Sequence, residues 1–231
     1  MLLNVTIPKT LHLLCKEPAI PDIYQGYYNR MQVLHPDWTI RIYDDVDAVK
    51  IIAAHFSELL EDYQTFPKNI QRMDVFRVLA VYLYGGFYVD MDIHFLKPLD
   101  PLLKHQLVLG EEKTLRPSEL HLLHHKHALR IANYMFGGVA GHPFLIDLAR
   151  SAINNSRIEI KEENDILETT GPGLLTNYYH EHQHRYPDVQ LLRNSTTACL
   201  KRCTPQPSCH FGDYAAHLHM GSWRWQHKII L

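Results

Sequence analysis

The sequence predicts an α/β fold around one core, and three observations carry that reading. A length of 231 residues with 46% hydrophobic and 21% charged residues suits one domain with a sizeable interior. Its first fifty residues alternate strand and helix signals, the start of a βαβ pattern. The stretch "NIQRMDVFRVLAVYLYGG" then joins a long apolar helix to a Gly-Gly stop, directly ahead of the alternating segment "FYVDMDIHF".

The elements follow in chain order. "NVTIPKTLHLL" is β-branched and apolar, with Pro8 after the first strand residues, and reads as an opening strand and loop. "PDIYQGYYNRMQVL" is an amphipathic helix that stops before the turn "HPDW" and the strand "TIRIY". Asp44, Asp45 and Asp47 can cap the helix through "AVKIIAAHF", and "SELLEDY" continues as a short helix. In "NIQRMDVFRVLAVYLY" the apolar positions cover most of the surface, so the helix is expected largely inside, ending in a left-handed cap at Gly85 and Gly86. Asp74 and Arg77 need partners there, and their i, i+3 spacing allows a mutual ion pair. "FYVDMDIHF" alternates, putting Tyr88, Asp90, Asp92 and His94 on one face of a single strand whose other face is core. Beyond it come a strand-like piece, a Gly-rich turn and a helix begun near Pro143 in "IANYMFGGVAGHPFLIDLARSAI". A turn and helix follow in "ETTGPGLLTNYYHEH", then a late strand in "DVQLLR".

Composition excludes several classes. A net charge of -2 gives no field to recruit nucleic acid or an anionic membrane. The start lacks a basic n-region, and no stretch reaches the roughly 18 uncharged apolar residues of a spanning helix. A cytoplasmic location is expected, with peripheral membrane contact left open. Cys199, Cys203 and Cys209, in "CLKRCTPQPSCH", lack the paired knuckles of zinc sites. Reduced cysteines in a Pro-rich loop are preferred over a zinc site with His210. The seventeen histidines, several in "HLLHHKHALR", are expected mostly at the surface.

Two carboxylates on one strand face, about 7 Å apart at ~3.3 Å per residue, repel unless a cation or hydrogen-bond donor lies near. A divalent ion answers this economically, and hard carboxylate oxygens suit Mn2+ or Mg2+, which complete their shells with phosphate and water. Asp-x-Asp alone is a weak signal. Here it follows Gly-Gly and a helix carrying Asp74 and Arg77.

In that context "RMDVFRVLAVYLYGGFYVDMDI" resembles the DXD-containing sugar-transfer region of a glycosyltransferase family. Its members include the yeast initiating α-1,6-mannosyltransferase, the inositolphosphoceramide mannosyltransferases and bacterial capsule and lipopolysaccharide enzymes; clostridial glucosylating toxins are more distant. The pieces "IPKTLH", "HPDWTIRIYDD", "GGVAGHPF", "TGPG" and H-x-x-x-G-S-W agree in order, so the likeness covers nearly the whole chain. It implies a GT-A, Rossmann-like fold over residues 1–231, with 215–231 as a C-terminal lid. It also implies transfer of a sugar from a nucleotide-sugar donor to a saccharide, glycolipid or protein hydroxyl, with retention at the anomeric carbon.

The roles implied by the resemblance are specific. Asp90 would stand near the donor ribose and sugar, and Asp92 on the metal. Asp74 and Arg77 would hold the donor sugar, Arg77 also near the diphosphate. Ile7, Pro8, Gly86, Tyr88, Ser222 and Trp223 complete the donor set. His217 is the expected further ligand to metal or diphosphate, with His219 as fallback, since Leu218 stands where the family often has a second histidine. Ser222 and Trp223 would close over the diphosphate, with a core aromatic as the second reading of Trp223. Two other readings remain. One is a non-catalytic sugar-binding protein on the same fold. The other is an aspartate-nucleophile phosphatase, which would want Thr or Val where the chain has His94.

Overall fold

The computed structural model describes residues 6–16, 19–122, 126–193 and 209–221. Among the described residues the first strand, β1 (Thr10–Leu14), begins after Pro8, and residues 6–8 are not in a strand, in keeping with a proline that has no N–H to give a sheet ladder. Helix α1 (Asp22–Leu34) leads to β2 (Thr39–Tyr43), which pairs parallel with β1, Thr10 opposite Thr39. Helix α2 (Asp45–His55) carries the expected acidic cap: Asp44 accepts from the Asp47 N–H, and the Asp47 side chain accepts from the Asp44 N–H. A 3-10 turn at Ser57–Leu59 and α3 (Leu60–Thr65) precede α4 (Asn69–Tyr84), whose residues from Met73 to Val81 are all buried.

Gly85 does stop α4, but not in the left-handed helical geometry. Its φ is 65° with ψ 179°, and Gly86 follows at φ 103°, two successive conformations that side chains avoid. A Cβ on Gly86 would stand 2.5 Å from the Thr10 carbonyl oxygen, so the glycines let β3 (Gly86–Val89) lie against β1. His12 of β1 fastens the same junction. Its Nε2 lies 2.7 Å from the Gly85 carbonyl and its Nδ1 3.0 Å from the Tyr43 hydroxyl. Burial lowers its pKa to about 4, so the ring is neutral, donating to Gly85 and accepting from Tyr43.

The expected single strand "FYVDMDIHF" is broken. After β3 the chain turns at Asp90–Asp92, with the Ile93 N–H donating to the Asp90 carbonyl, and β4 (Ile93–Phe95) joins a different sheet. Both faces of β3 are buried: Phe87 and Val89 enter one core cluster and Tyr88 the other. Alternation is real within β3, yet neither face meets solvent, as is common for central strands between layers.

Next come β5 (Leu107–Thr114), α5 (Pro117–Leu122), β6 (Leu129–Ile131), β7 (Met135–Gly138) and α6 (Pro143–Ile153). Helix α7 (Glu163–Thr169), α8 (Pro172–His182) and β8 (Val189–Leu192) follow, and then β9 (Cys209–Phe211) and β10 (Ala215–His217). The main sheet runs β2-β1-β3-β7-β5-β6 with β8 on β5; β4, β10 and β9 form a second, antiparallel sheet. Helix α4 packs on one face of the main sheet with α6, while β4 and α1 help cover the other.

Four histidines depart from the surface expectation: His12, His35, His142 and His210 are buried. His35 shows why this is tolerable. Its Nε2 accepts the Leu99 N–H at 3.1 Å, so its Nδ1 carries the proton and donates to the Met31 carbonyl at 3.0 Å.

Candidate active site

The site forms where β3 ends. In open α/β sheets the carboxyl ends of strands leave a crevice for ligands, and the Asp90–Asp92 turn opens into it. The two carboxylates converge because the chain reverses, not because a strand repeats every two residues. Strand β10 supplies the third group. Paired antiparallel with β4, it sets His217 opposite Ile93 and brings the His217 Nε2 to 3.1 Å from Asp92 Oδ1 and 3.9 Å from Asp90 Oδ2. One ligand atom from each of Asp90, Asp92 and His217 falls within 4.8 Å of the others.

This donor set, two carboxylates and an imidazole, fits a divalent ion such as Mn2+ or Mg2+ completed by phosphate and water. Its electrostatics agree with that use. Burial opposes charge on all three groups. The His217 imidazole nevertheless holds Asp92 below the ordinary carboxylate value, and Asp92, with Asp90 and Glu112, lifts His217 above the ordinary histidine value. Asp90 is raised by burial against the pull of Arg77 and His217. The Asp92 side chain is further fixed by the Met220 N–H at 2.8 Å, and its backbone carbonyl by the Leu218 N–H.

Behind the carboxylates lies Arg77 of α4. Its Nη2 donates to Asp74 Oδ1 (3.1 Å), and its Nη1 to Asp90 Oδ1 (3.3 Å) and to the Asn133 carbonyl (3.1 Å). The guanidinium also lies 4.5 Å over the Tyr88 ring. The expected Asp74–Arg77 pair is present, and Arg77 extends it to Asp90. Asp74 has further partners: Asn133 Nδ2 (3.2 Å) and the Thr170 hydroxyl (2.9 Å). Burial pushes the Asp74 carboxyl up to about 6, with Arg77 and Thr170 offsetting part of the cost. Burial also works against the charge on Arg77, but Tyr88, Asp90 and Asp74 together hold it firmly protonated.

Of the other expected donor positions, Tyr88 is 2% exposed and hydrogen-bonds its hydroxyl to Asp90, so it acts on the site through that carboxylate. Ile7 is 1% exposed, its side chain in the core and its N–H on the Leu103 carbonyl; Pro8 packs over Gly85, and Gly86 is covered by Thr10. The Ile7 side chain thus packs in the core, and Gly86, which has no side chain, lies close against the Thr10 backbone. His219 is not one of the three residues of the Asp90, Asp92 and His217 group. Its ring lies 4.1 Å from that of His217, on a backbone at φ 54°. Residues 215–217 of the expected lid form a paired strand with Ala215 and Ala216 buried. Residues 222–231, Ser222 and Trp223 among them, lie outside the described residues, as do Cys199, Cys203 and the side chain of Cys209.

The sequence reading missed Asn133, Thr170 and Tyr134. Tyr134 stacks on His217 with ring centroids 4.3 Å apart, and its carbonyl accepts the Asp90 N–H. All three lie in or beside pieces already singled out, "IANYMFGG" and "ETTGPG". A polar side chain next to a Gly-rich segment was the available signal.

Comparison with known proteins agrees with this geometry. Residues 21–109 match the family model described as a glycosyltransferase sugar-binding region containing the DXD motif. The chain is 32% identical over 148 residues to inositol phosphoceramide mannosyltransferase 3 of Schizosaccharomyces pombe, covering 64% of this chain and 38% of that one. It is 25% identical over 195 residues to the mannosyl phosphorylinositol ceramide synthase SUR1 of Saccharomyces cerevisiae, covering 84% and 46%. It therefore spans less than half the length of these two relatives. Among solved structures, the PaToxG glycosyltransferase superposes with a TM-score of 0.55 at 17% identity, over 79% of this chain and 71% of that one, which shows the shared GT-A glycosyltransferase fold. With helix, glycines and both aspartates of the motif in place, residues 21–109 are similar to the glycosyltransferase sugar-binding region containing the DXD motif.

Proposed function

We propose that this chain is the catalytic part of a metal-dependent glycosyltransferase. It moves a hexosyl group, mannosyl by analogy with the named relatives, from a nucleotide sugar to a hydroxyl of a glycolipid or saccharide, with retention at the anomeric carbon. The carrying observation is the convergence of Asp90, Asp92 and His217 within 4.8 Å beside a buried Arg77. In the reaction the bond from the anomeric carbon to the diphosphate oxygen breaks, a bond from the acceptor oxygen forms, and the hydroxyl proton leaves with the nucleoside diphosphate. A divalent ion held by Asp90, Asp92 and His217 would neutralise charge building on that leaving group. Arg77, fixed by Asp74, Asn133 and Tyr88, is aimed before reaction and adds positive charge without reorganisation. Asp74 positions Arg77 and Asn133 and keeps lone pairs for a sugar hydroxyl.

A phosphatase would need a carboxylate free to attack phosphorus. Asp90 instead accepts from both Arg77 and Tyr88, and Asp92 from Met220 and His217. The test is a panel of nucleotide sugars, GDP-mannose and the common UDP-hexoses, with Mn2+. Slow release of free sugar from at least one donor, abolished by excess chelator, is expected. No release from any donor, or full activity in chelator, would overturn the proposal.

A further inference from the structure

A second group of charged side chains stands beside the metal-binding triad and is not used by it. Strands β3 and β5 are both antiparallel to β7, so they run parallel to each other, and the carboxyl end of β5 opens at the same sheet edge as Asp90. There the pairing of β5 with β6 slips between Glu111 and Lys113, leaving Glu112 on a bulge. A bulge re-aims the side chain it carries. Glu111 is tied to Thr114 and Arg193. Glu112 is half-buried and makes no hydrogen bond or ion pair among the described residues. Its position at the sheet edge it shares with Asp90 sets it on the side of the reaction centre, and its negative charge favours the protonated His217 imidazole.

Next to it is Arg130, 3% exposed. Its Nη2 pairs with Glu168 at 3.2 Å, while its Nε and Nη1 have no partner among the described residues. Glu168 is itself seated: its carboxylate lies where a Cβ on Gly173 would come within 2.3 Å, over the first turn of α8. Burial raises the Glu112 carboxyl, and Lys113, Arg130 and His217 pull it back toward the charged form. The cluster offers what a hydroxyl needs: a half-buried carboxylate without a hydrogen-bond partner among the described residues to accept from it and, next to it, a buried cation with unmet donors.

We propose that Glu112, braced by the Arg130–Glu168 pair, is the acceptor subsite, taking hydrogen bonds from vicinal hydroxyls of a polyol acceptor, a sugar ring or cyclitol, and setting one hydroxyl toward the donor's anomeric carbon. This rests on the glycosyltransferase reading above. A carboxylate has two oxygens and accepts from two adjacent hydroxyls at once, which a simple alcohol cannot match.

The test uses the whole chain with Mn2+ and whichever donor it hydrolyses, with myo-inositol, methyl α-mannopyranoside or propan-1-ol added. Sugar attached to the probe and sugar released to water are measured together. Both polyols should divert sugar from water or slow its release, and propan-1-ol should not. Glu112→Gln should lower the ratio of polyol product to free sugar about tenfold or more and raise the half-saturating polyol concentration. Glu112→Asp, which keeps the charge, should fall between, and melting curves confirm that both variants fold. A wild-type ratio in Glu112→Gln, or polyols without effect on a wild type that does hydrolyse donor, would overturn the inference. A wild type that neither hydrolyses nor transfers from any donor would overturn the glycosyltransferase reading itself, and this one with it.

Discussion

Arg77 contacts two carboxylates, a carbonyl and an aromatic face through one planar group. A lysine ammonium can serve one of these directions but not all four, because it is a point charge on a flexible stem. Arg77→Lys is therefore expected to lose nearly as much turnover as Arg77→Ala, about 100-fold or more in kcat, the scale of removing one preorganised electrostatic donor. Near wild-type kinetics in the lysine variant would reduce Arg77 to a charge partner. Asp74 carries a pH signature. Its carboxyl, ordinarily at 3.8, sits at about 6 in the folded chain, so folding favours the protonated form. The stability this contributes is fully present below the unfolded value, near pH 4, and is lost as pH rises through about 6, a change of roughly 3 kcal/mol. Unfolding free energies measured from pH 4 to 7 should fall more steeply for wild type than for Asp74→Asn. Parallel curves would show that Asp74 is not shifted.

At the scale of elements, the α4–β3 junction decides whether the site forms. Gly85 and Gly86 hold φ values that cost side chains energy, and a Cβ on Gly86 would collide with the backbone of β1. Gly86→Ala should cost at least ~2 kcal/mol in urea unfolding and should also lower metal affinity, because β3 delivers Asp90. An unchanged midpoint would mean that the junction relaxes freely. The glycine stop, the buried helix and the acidic cap of α2 were legible in sequence because each is written in a few neighbouring residues. Strand β5 was not. "LVLGEEKT" is buried at one end and bulged at the other, so it shows no period of two. The reading of "FYVDMDIHF" as one strand failed for a related reason: the alternation survives a turn, and only the partners of β4 reveal that it belongs to another sheet.

Across the whole molecule, the site joins segments from α4, the β3–β4 turn, Asn133 and Tyr134, Thr170 and β10. A ligand that binds only this assembled state stabilises the entire fold by mass action, about 2.7 kcal/mol at a hundredfold excess over Kd. Mn2+ with GDP or UDP should therefore raise the melting temperature by several degrees, and Asp92→Asn should lose that rise while still folding. No rise with either nucleotide, or the same rise in the variant, would remove Asp92 from the metal site. The sequence by itself determined the α/β class, the helix that carries Asp74 and Arg77, the i, i+3 spacing that allows them to pair, and the glycines before the two aspartates. These depend on local geometry: helical spacing, positive φ and end caps. Only the tertiary structure decided that the aspartates meet across a turn, that His217 joins them, and that Asn133 and Thr170 hold Asp74. Those contacts join strands and loops distant in the chain, and they are fixed by sheet pairing and core packing, which leave no periodic trace near the residues they bring together.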